Sequence, residues 1–190
     1  MLLPYRSVKI VGTIAEKAAL AGLPFIVIGG NAVNAYGYSR TTVDVDLLVR
    51  ETDRRKWDEL IVPLGYRAHQ IQRVFHMYNP IPDGWAPVDL MLVNEGTFTK
   101  LSQNTRETEL GGAIVRIPSL RNLIALKLHA LRFGGEHRHT RDFLDVIELV
   151  QLNQVNLAAP EYVEILERYA TSDIADRIRS GIAGPQSPGT

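Results

Sequence analysis

The chain contains no cysteine, which removes disulfide bridges, thiol nucleophiles and Cys-ligated zinc together. It has no excess of one charge: 21 Lys and Arg balance 21 Asp and Glu over 190 residues. No global field therefore points to nucleic acid, although a local basic surface stays open. Nor is there a long hydrophobic run. The N-terminal MLLPYRSVKIVGTIAEKAAL lacks an apolar core ahead of a small-residue cleavage site, and no later segment reaches the length of a membrane span. A cytoplasmic protein with no membrane partner is the expectation. The G-x-x-x-x-G-K-[ST] loop, the G-x-S-x-G elbow and the G-x-G-x-x-G fingerprint are all missing, which argues against a P-loop NTPase, an α/β-hydrolase and a Rossmann dehydrogenase.

What is present is ordinary in bulk. At 45% hydrophobic and 22% charged, the composition suits a globular core, and the length suits one domain or one domain with a helical extension. Apolar residues at helical spacing over residues 7–21 stop at Gly22 and Pro24, predicting a helix. FIVIG (25–29) predicts a buried strand, NAVNAYGY a short helix opening just after Gly30, VDVDLLVR (43–50) a second strand and DRRKWDELIVPLG (53–65) a helix. YRAHQIQ (66–72) and VFHMYNP (74–80) predict a hairpin or one bent strand; IPDGW is turn chemistry, and APVDLMLV (86–93) predicts a strand. TRETELGGAIVRIP (105–118) predicts a hairpin turned at Gly111-Gly112, or a loop entering a strand. Beyond Pro118 the pattern is helical: SLRNLIALKLHALRF, a break at GGEHRH, then TRDFLDVIELVQLN, PEYVEILERYA and SDIADRIRSGI. The result is an α+β core over residues 1–117, a helical subdomain over 118–183 and a tail, 184–190, expected to be disordered.

The anomaly lies in GGNAVNAYGYSRTTVDVDLLV. Asp44 and Asp46 stand two apart in an apolar strand, so their side chains share a face, about 7 Å apart at Cα. A half-exposed strand facing water would account for them; so would a hard divalent cation, which takes oxygen ligands and keeps places for substrate phosphates. VDLMLV repeats the anomaly at Asp89. Two such strands side by side would bring three carboxylates to one place. Gly29-Gly30 closes the preceding strand and opens a helix, as a tight turn or as a close backbone approach to phosphate. Thirteen residues separate Gly30 from Asp44. The His residues carry less. His137 and His139 in GGEHRHT lack a spaced second pair, so zinc is a poor reading, and His69 and His76 are expected on the sheet surface. Trp57 and Trp85 are expected as packing anchors.

The pattern of apolar run, Gly-Gly, spacer, Asp-x-Asp and a later Asp on another strand resembles the nucleotidyltransferase-fold superfamily, the DNA polymerase β-like group. More narrowly, the stretch through Arg40 and Thr42, with Lys127 in LIALKLHAL and Asp142 and Asp145 in RDFLD, resembles AbiEii-type abortive-infection nucleotidyltransferase toxins over residues 22–150. That resemblance implies a mixed-sheet core with flanking helices. It implies Asp44, Asp46 and Asp89 as metal-binding and catalytic residues, with Mg²⁺ (or Mn²⁺) as cofactor. Gly29, Gly30, Asn31, Arg40, Thr42, Lys127, Asp142 and Asp145 would bind the nucleoside triphosphate. The acceptor would be an RNA 3′ end, a protein hydroxyl or a small molecule, with an antitoxin as a partner of the toxin reading. Each of the outer residues has a plainer account. Lys127 could be the solvated member of an amphipathic helix, Asp142 and Asp145 could pair with Arg138 or Arg141, and Arg40 could pair with a nearby carboxylate.

Overall fold

The computed structural model describes residues 3–81, 85–134 and 136–183. They divide into two compact units, one drawn from residues 1–35 and 39–119, the other from 36–38 and 120–190. The expected turn at 81–85 lies partly outside the described residues, and the expected tail at 184–190 wholly so.

The first unit opens with α1 (Leu3–Leu20), whose Ile10, Val11, Ile14 and Ala18 recur at helical spacing and are buried. The helix stops at Gly22, where φ is 62°. Then follow β1 (Ile26–Val27), α2 (Gly29–Ala35), β2 (Val45–Arg50), α3 (Arg54–Ile61), β3 (Tyr66–Ile71), β4 (Phe75–Pro80) and β5 (Val88–Val93). α4 (Glu95–Ser102), β6 (Thr105–Leu110) and β7 (Ala113–Pro118) complete the unit. The strand expected at 25–29 shrinks to two residues because Gly29 already belongs to α2. The polar stretch after β5, to which the sequence reading gave no element, contains α4. Its cap is Asn94, whose Oδ1 accepts from Thr97 N at 2.8 Å. Residues 66–80 form a hairpin, as does 105–118.

The main sheet runs β1-β2-β5-β4-β3. Its centre is parallel, β2 against β5, and the remaining pairs are antiparallel. One face is closed by apolar residues: Val45, Leu47 and Val49 on β2 and Val88, Leu90 and Leu92 on β5 are all buried. α3 lies on this face, since the Tyr78 hydroxyl donates to Asp58. Trp57 is the packing anchor expected, fully buried with its ring edge-on to Phe25 at 5.8 Å. Trp85 is not, being 42% exposed. The second unit comprises α5 (Leu120–Phe133), α6 (Glu136–Leu152), α7 (Pro160–Tyr169) and α8 (Ser172–Ala183). α5 packs on α6 and α7, and α6 on α8. α6 starts at Glu136, ahead of the Thr140 expected from sequence. Among the described residues no helix is long and apolar enough to cross a membrane.

His69 is exposed as expected, but His76 is not on the surface. Strand alternation turns it to the closed face beside Tyr78, where it is 1% exposed and neither ring nitrogen has a hydrogen-bond partner. Burial, and secondarily Arg54, holds its pKa below the ordinary 6.5, against the opposing pull of Asp58. Above that value neither folded nor unfolded chain binds the proton. Below it the unfolded chain binds first, so folding stability falls as pH falls. His129 is lowered in the same direction by burial. Denaturant titrations stepped from about pH 7 to about pH 5 should therefore give a flatter stability profile for His76→Leu than for the parent. Equal slopes would show that His76 does not titrate in this range.

Candidate active site

The parallel centre of the sheet sets the site. Its register puts Asp46 of β2 opposite Asp89 of β5, and cross-strand partners share a face. Asp44 precedes β2 by one residue and lies two from Asp46, so it joins them. One oxygen from each of the three lies within 4.8 Å of the others. Among the described residues this is the one group of three or more acidic or imidazole side chains close enough to hold a metal ion. Asp89 is 5% exposed.

The segment leading into β2 is fixed by α2. Asn31, 2% exposed, donates through Nδ2 to the Asp44 carbonyl at 3.0 Å. One helical turn on, Asn34 Nδ2 donates to the Arg40 carbonyl at 2.9 Å, and its Oδ1 accepts from Arg40 N at 3.1 Å. Thr42, 4% exposed, donates its hydroxyl to Asp44 Oδ1 at 3.0 Å. Arg40 Nη1 donates to the Thr41 carbonyl at 3.3 Å. Asn31 and Thr42 thus orient Asp44, whatever else they touch. Asn34 is a positioning residue that sequence reasoning missed; its signal was the i, i+3 spacing from Asn31, which puts both amides on one side of α2.

The two glycines have a steric reason to be there. Gly29 has φ 60°, a conformation side chains rarely adopt, and a Cβ there would overlap the Asp46 carboxylate. A Cβ at Gly30 would press into the Thr42 side chain, with Arg40 Nη1 3.2 Å away. The missing side chains make room for the acids and the threonine that orients one of them. Three carboxylate oxygens make a hard, anionic donor set suited to Mg²⁺ or Mn²⁺. The residues present fit such an ion.

Lys127, Asp142 and Asp145 lie together in the second unit. Lys127 Nζ donates to Asp142 Oδ1 at 2.6 Å and is 2.8 Å from Asp145 Oδ2. The three residues are 9%, 6% and 0% exposed. Lys127 is therefore not a solvated residue of α5, since it pairs with both acids; Arg141 is exposed. The side chains of Arg138 and His137 lie outside the described residues. His139 is half-buried.

A parallel central pair flanked by antiparallel strands, with acids in register on one face, is the architecture of the nucleotidyltransferase fold, and the expected α+β class holds. The chain is similar to the solved structure of ANT(2″)-Ia in complex with adenylyl-2″-tobramycin: TM-score 0.61, 18% identity, covering 86% of this chain and 98% of that one. It is similar to the lincosamide antibiotic adenylyltransferase LnuA with lincomycin bound: TM-score 0.53, 12% identity, 74% of this chain and 94% of that one. It is also similar to an antigenic nucleotidyltransferase-like protein from Paracoccidioides brasiliensis: TM-score 0.55, 18% identity, 91% and 92% covered. At these identities the likeness establishes the fold. No family model matches the sequence, and no curated protein matches it significantly.

Two substitutions probe this geometry. Gly29→Ala should lower stability by about 1–2 kcal/mol, through the positive φ and displacement of Asp46; a melting temperature equal to the parent's would contradict the overlap. Lys127→Met leaves two buried carboxylates facing each other without their cation. Denaturant unfolding should show a loss of about 3–5 kcal/mol, whereas a loss under about 1 kcal/mol is the scale of an exposed pair.

Proposed function

We propose that the chain is a metal-dependent nucleotidyltransferase that moves a nucleoside monophosphate from a nucleoside triphosphate to an acceptor hydroxyl. The observation that carries this reading is the convergence of Asp44, Asp46 and Asp89 within 4.8 Å on the parallel strand pair of a nucleotidyltransferase fold. Asp44 and Asp46 would hold two Mg²⁺ or Mn²⁺ ions, with Asp89 completing one of the two sites, that of the ion beside the acceptor. A bound divalent ion supplies charge neutralisation at the phosphates and stabilises the attacking and leaving oxygens.

The chain's own residues do the rest. Thr42 and Asn31 keep Asp44 turned toward its two partners. Gly29 and Gly30 keep side chains out of the approach to the triphosphate, and Arg40 offers a guanidinium beside them. Asp89 would accept the proton of the acceptor hydroxyl. The acceptor oxygen bonds to the α-phosphorus, the α–β bridging bond breaks, and pyrophosphate leaves with the electron pair. Lys127, Asp142 and Asp145 belong to the nucleotide contacts by resemblance alone.

The resemblance to abortive-infection toxins favours an RNA or protein acceptor, a cytoplasmic location and an antitoxin partner. A second reading, a small-molecule hydroxyl, is supported by the antibiotic and adenylylated antibiotic held by two of the similar structures. A catalytically silent fold that serves as a binding partner is disfavoured by the presence of all three carboxylates.

A thermal melt with each of the four nucleoside triphosphates should show Mg²⁺-dependent protection and name the base. Asp44→Asn with Asp46→Asn should keep the fold, because it relieves like-charge repulsion, and should abolish that protection. Undiminished protection in the double variant would move the metal site elsewhere. Asp89→Ala should cut turnover by about a hundredfold or more, the scale of a positioned acid–base group, with a much smaller change in nucleotide affinity. Equal losses in both would make Asp89 a ligand of the nucleotide-bound ion instead.

A further inference from the structure

Residues 36–44, between α2 and β2, form neither helix nor strand, and they carry Arg40, Thr42 and Asp44. Their later part is held by α2, through Asn34 on Arg40 and Asn31 on the Asp44 carbonyl. Their start is held from far along the chain. The last turn of a helix leaves carbonyls without helical donors. Here Arg106 Nη2 of β6 donates to the Ala35 carbonyl at 3.1 Å, and Asn153 Nδ2 donates to the Tyr36 carbonyl at 3.2 Å. Asn153 stands 117 positions from Tyr36, yet residues 36–38 group with the helical unit to which it belongs.

Asn153 is itself firmly set. It follows the last residue of α6, and the helix is closed by Gln154, the one non-glycine residue with positive φ (52°) among the described residues. Gln154 N donates to the Gln151 carbonyl at 3.2 Å and Val155 N to the Val150 carbonyl at 2.9 Å, the paired bonds of a Schellman ending. The Asn153 amide also donates to the Leu149 carbonyl at 2.9 Å. Two carbonyls thus face one NH₂ group, which has two protons to give. Turned over, the amide would set its oxygen against both.

We propose that Asn153 is a positioning residue of the nucleotide site: by holding the Tyr36 carbonyl it fixes where the segment leaves α2, and so where Arg40 and Thr42 come to stand beside Gly30. The inference rests on the nucleotidyltransferase reading above. α2 has seven residues, too few to persist without outside support. Asn31 and Asn34, which orient Asp44 and Arg40, both stand on it. Gly37 turns the chain directly after the held carbonyl, with φ 99°, so a displacement at Tyr36 passes straight into the residues that follow. Asp44 enters β2 one residue on and is fixed there by the sheet. The group that moves when Asn153 lets go is therefore Arg40, the guanidinium assigned to the triphosphate.

The test compares Asn153→Ala and Gly37→Ala with Gln151→Ala, which removes a bond of the same kind from the same helix, Gln151 Nε2 to the Ile182 carbonyl at 3.3 Å. A melt of each variant reports folding. Calorimetry uses Mg²⁺ with the nucleoside triphosphate that best protects the parent. Asn153→Ala should bind it about three- to tenfold more weakly, the scale of one lost hydrogen bond. Gly37→Ala, strained by its positive φ, should move in the same direction. Trypsin should cut after Arg40 faster in both, and Gln151→Ala should match the parent in both readouts. An Asn153→Ala affinity within about twofold of the parent would overturn the proposal; should that variant not fold, the same result for Gly37→Ala would. So would an equal loss in Gln151→Ala, which would trace the effect to helix stability. The two failures separate in the parent: one that binds no nucleotide brings down the transfer reading and this role with it, and one that binds nucleotide while the variants match it brings down this role alone.

Discussion

The structure turns on three carboxylates held where carboxylates repel. Two unit charges about 5 Å apart repel by roughly 1 kcal/mol in water, and by roughly 3 kcal/mol at the effective dielectric of a protein surface. A folded chain accepts that only if the surrounding structure imposes it. Here the parallel register of β2 and β5 sets Asp46 against Asp89, and Thr42 and Asn31 turn Asp44 toward them. Gly29 gives up its side chain so that the Asp46 carboxylate has a place to stand. Buried valines and leucines on the other face hold both strands in that register. Strain gathered at one point by a stable scaffold is the ordinary mark of a binding site.

The helical unit meets the same electrostatic problem in another way. Asp142 and Asp145 sit three apart on α6, buried, and the chain supplies its own cation in Lys127 of α5. A buried carboxylate pair with a resident ammonium clasps two helices. The trio on the sheet instead brings three carboxylate oxygens within 4.8 Å of one another, a donor set suited to a divalent ion. The contrast separates two acidic motifs that look alike as sequence, D-x-D and D-x-x-D.

Much of this was legible in the chain. Strand periodicity makes Asp44, Asp46 and Asp89 conspicuous because each interrupts an apolar run, and Gly29-Gly30 punctuates the strand before them. What sequence could not supply was register. Nothing in VDVDLLV and VDLMLV says that Asp46 lies opposite Asp89 rather than Leu90, since pairing is decided by the whole sheet. His76 was misread for a related reason: alternation gives two faces but does not say which is closed. α4 was missed because its amphipathic pattern is short and polar, although Asn94 before Glu95 carried a capping signal. The ion pairs of Lys127 were not legible because its two partners lie 15 and 18 positions further on, in the next helix.

The central claim is that Asp44 and Asp46 hold a divalent ion against the nucleotide phosphates. The most direct measurement is a crystal grown with Mn²⁺ and a non-hydrolysable nucleoside triphosphate, with diffraction data collected at the manganese edge. The account predicts an anomalous peak bounded by oxygens of Asp44 and Asp46, with nucleotide phosphate completing the coordination. Bound nucleotide with no anomalous density between those carboxylates, or manganese ligated only by other residues, would contradict it.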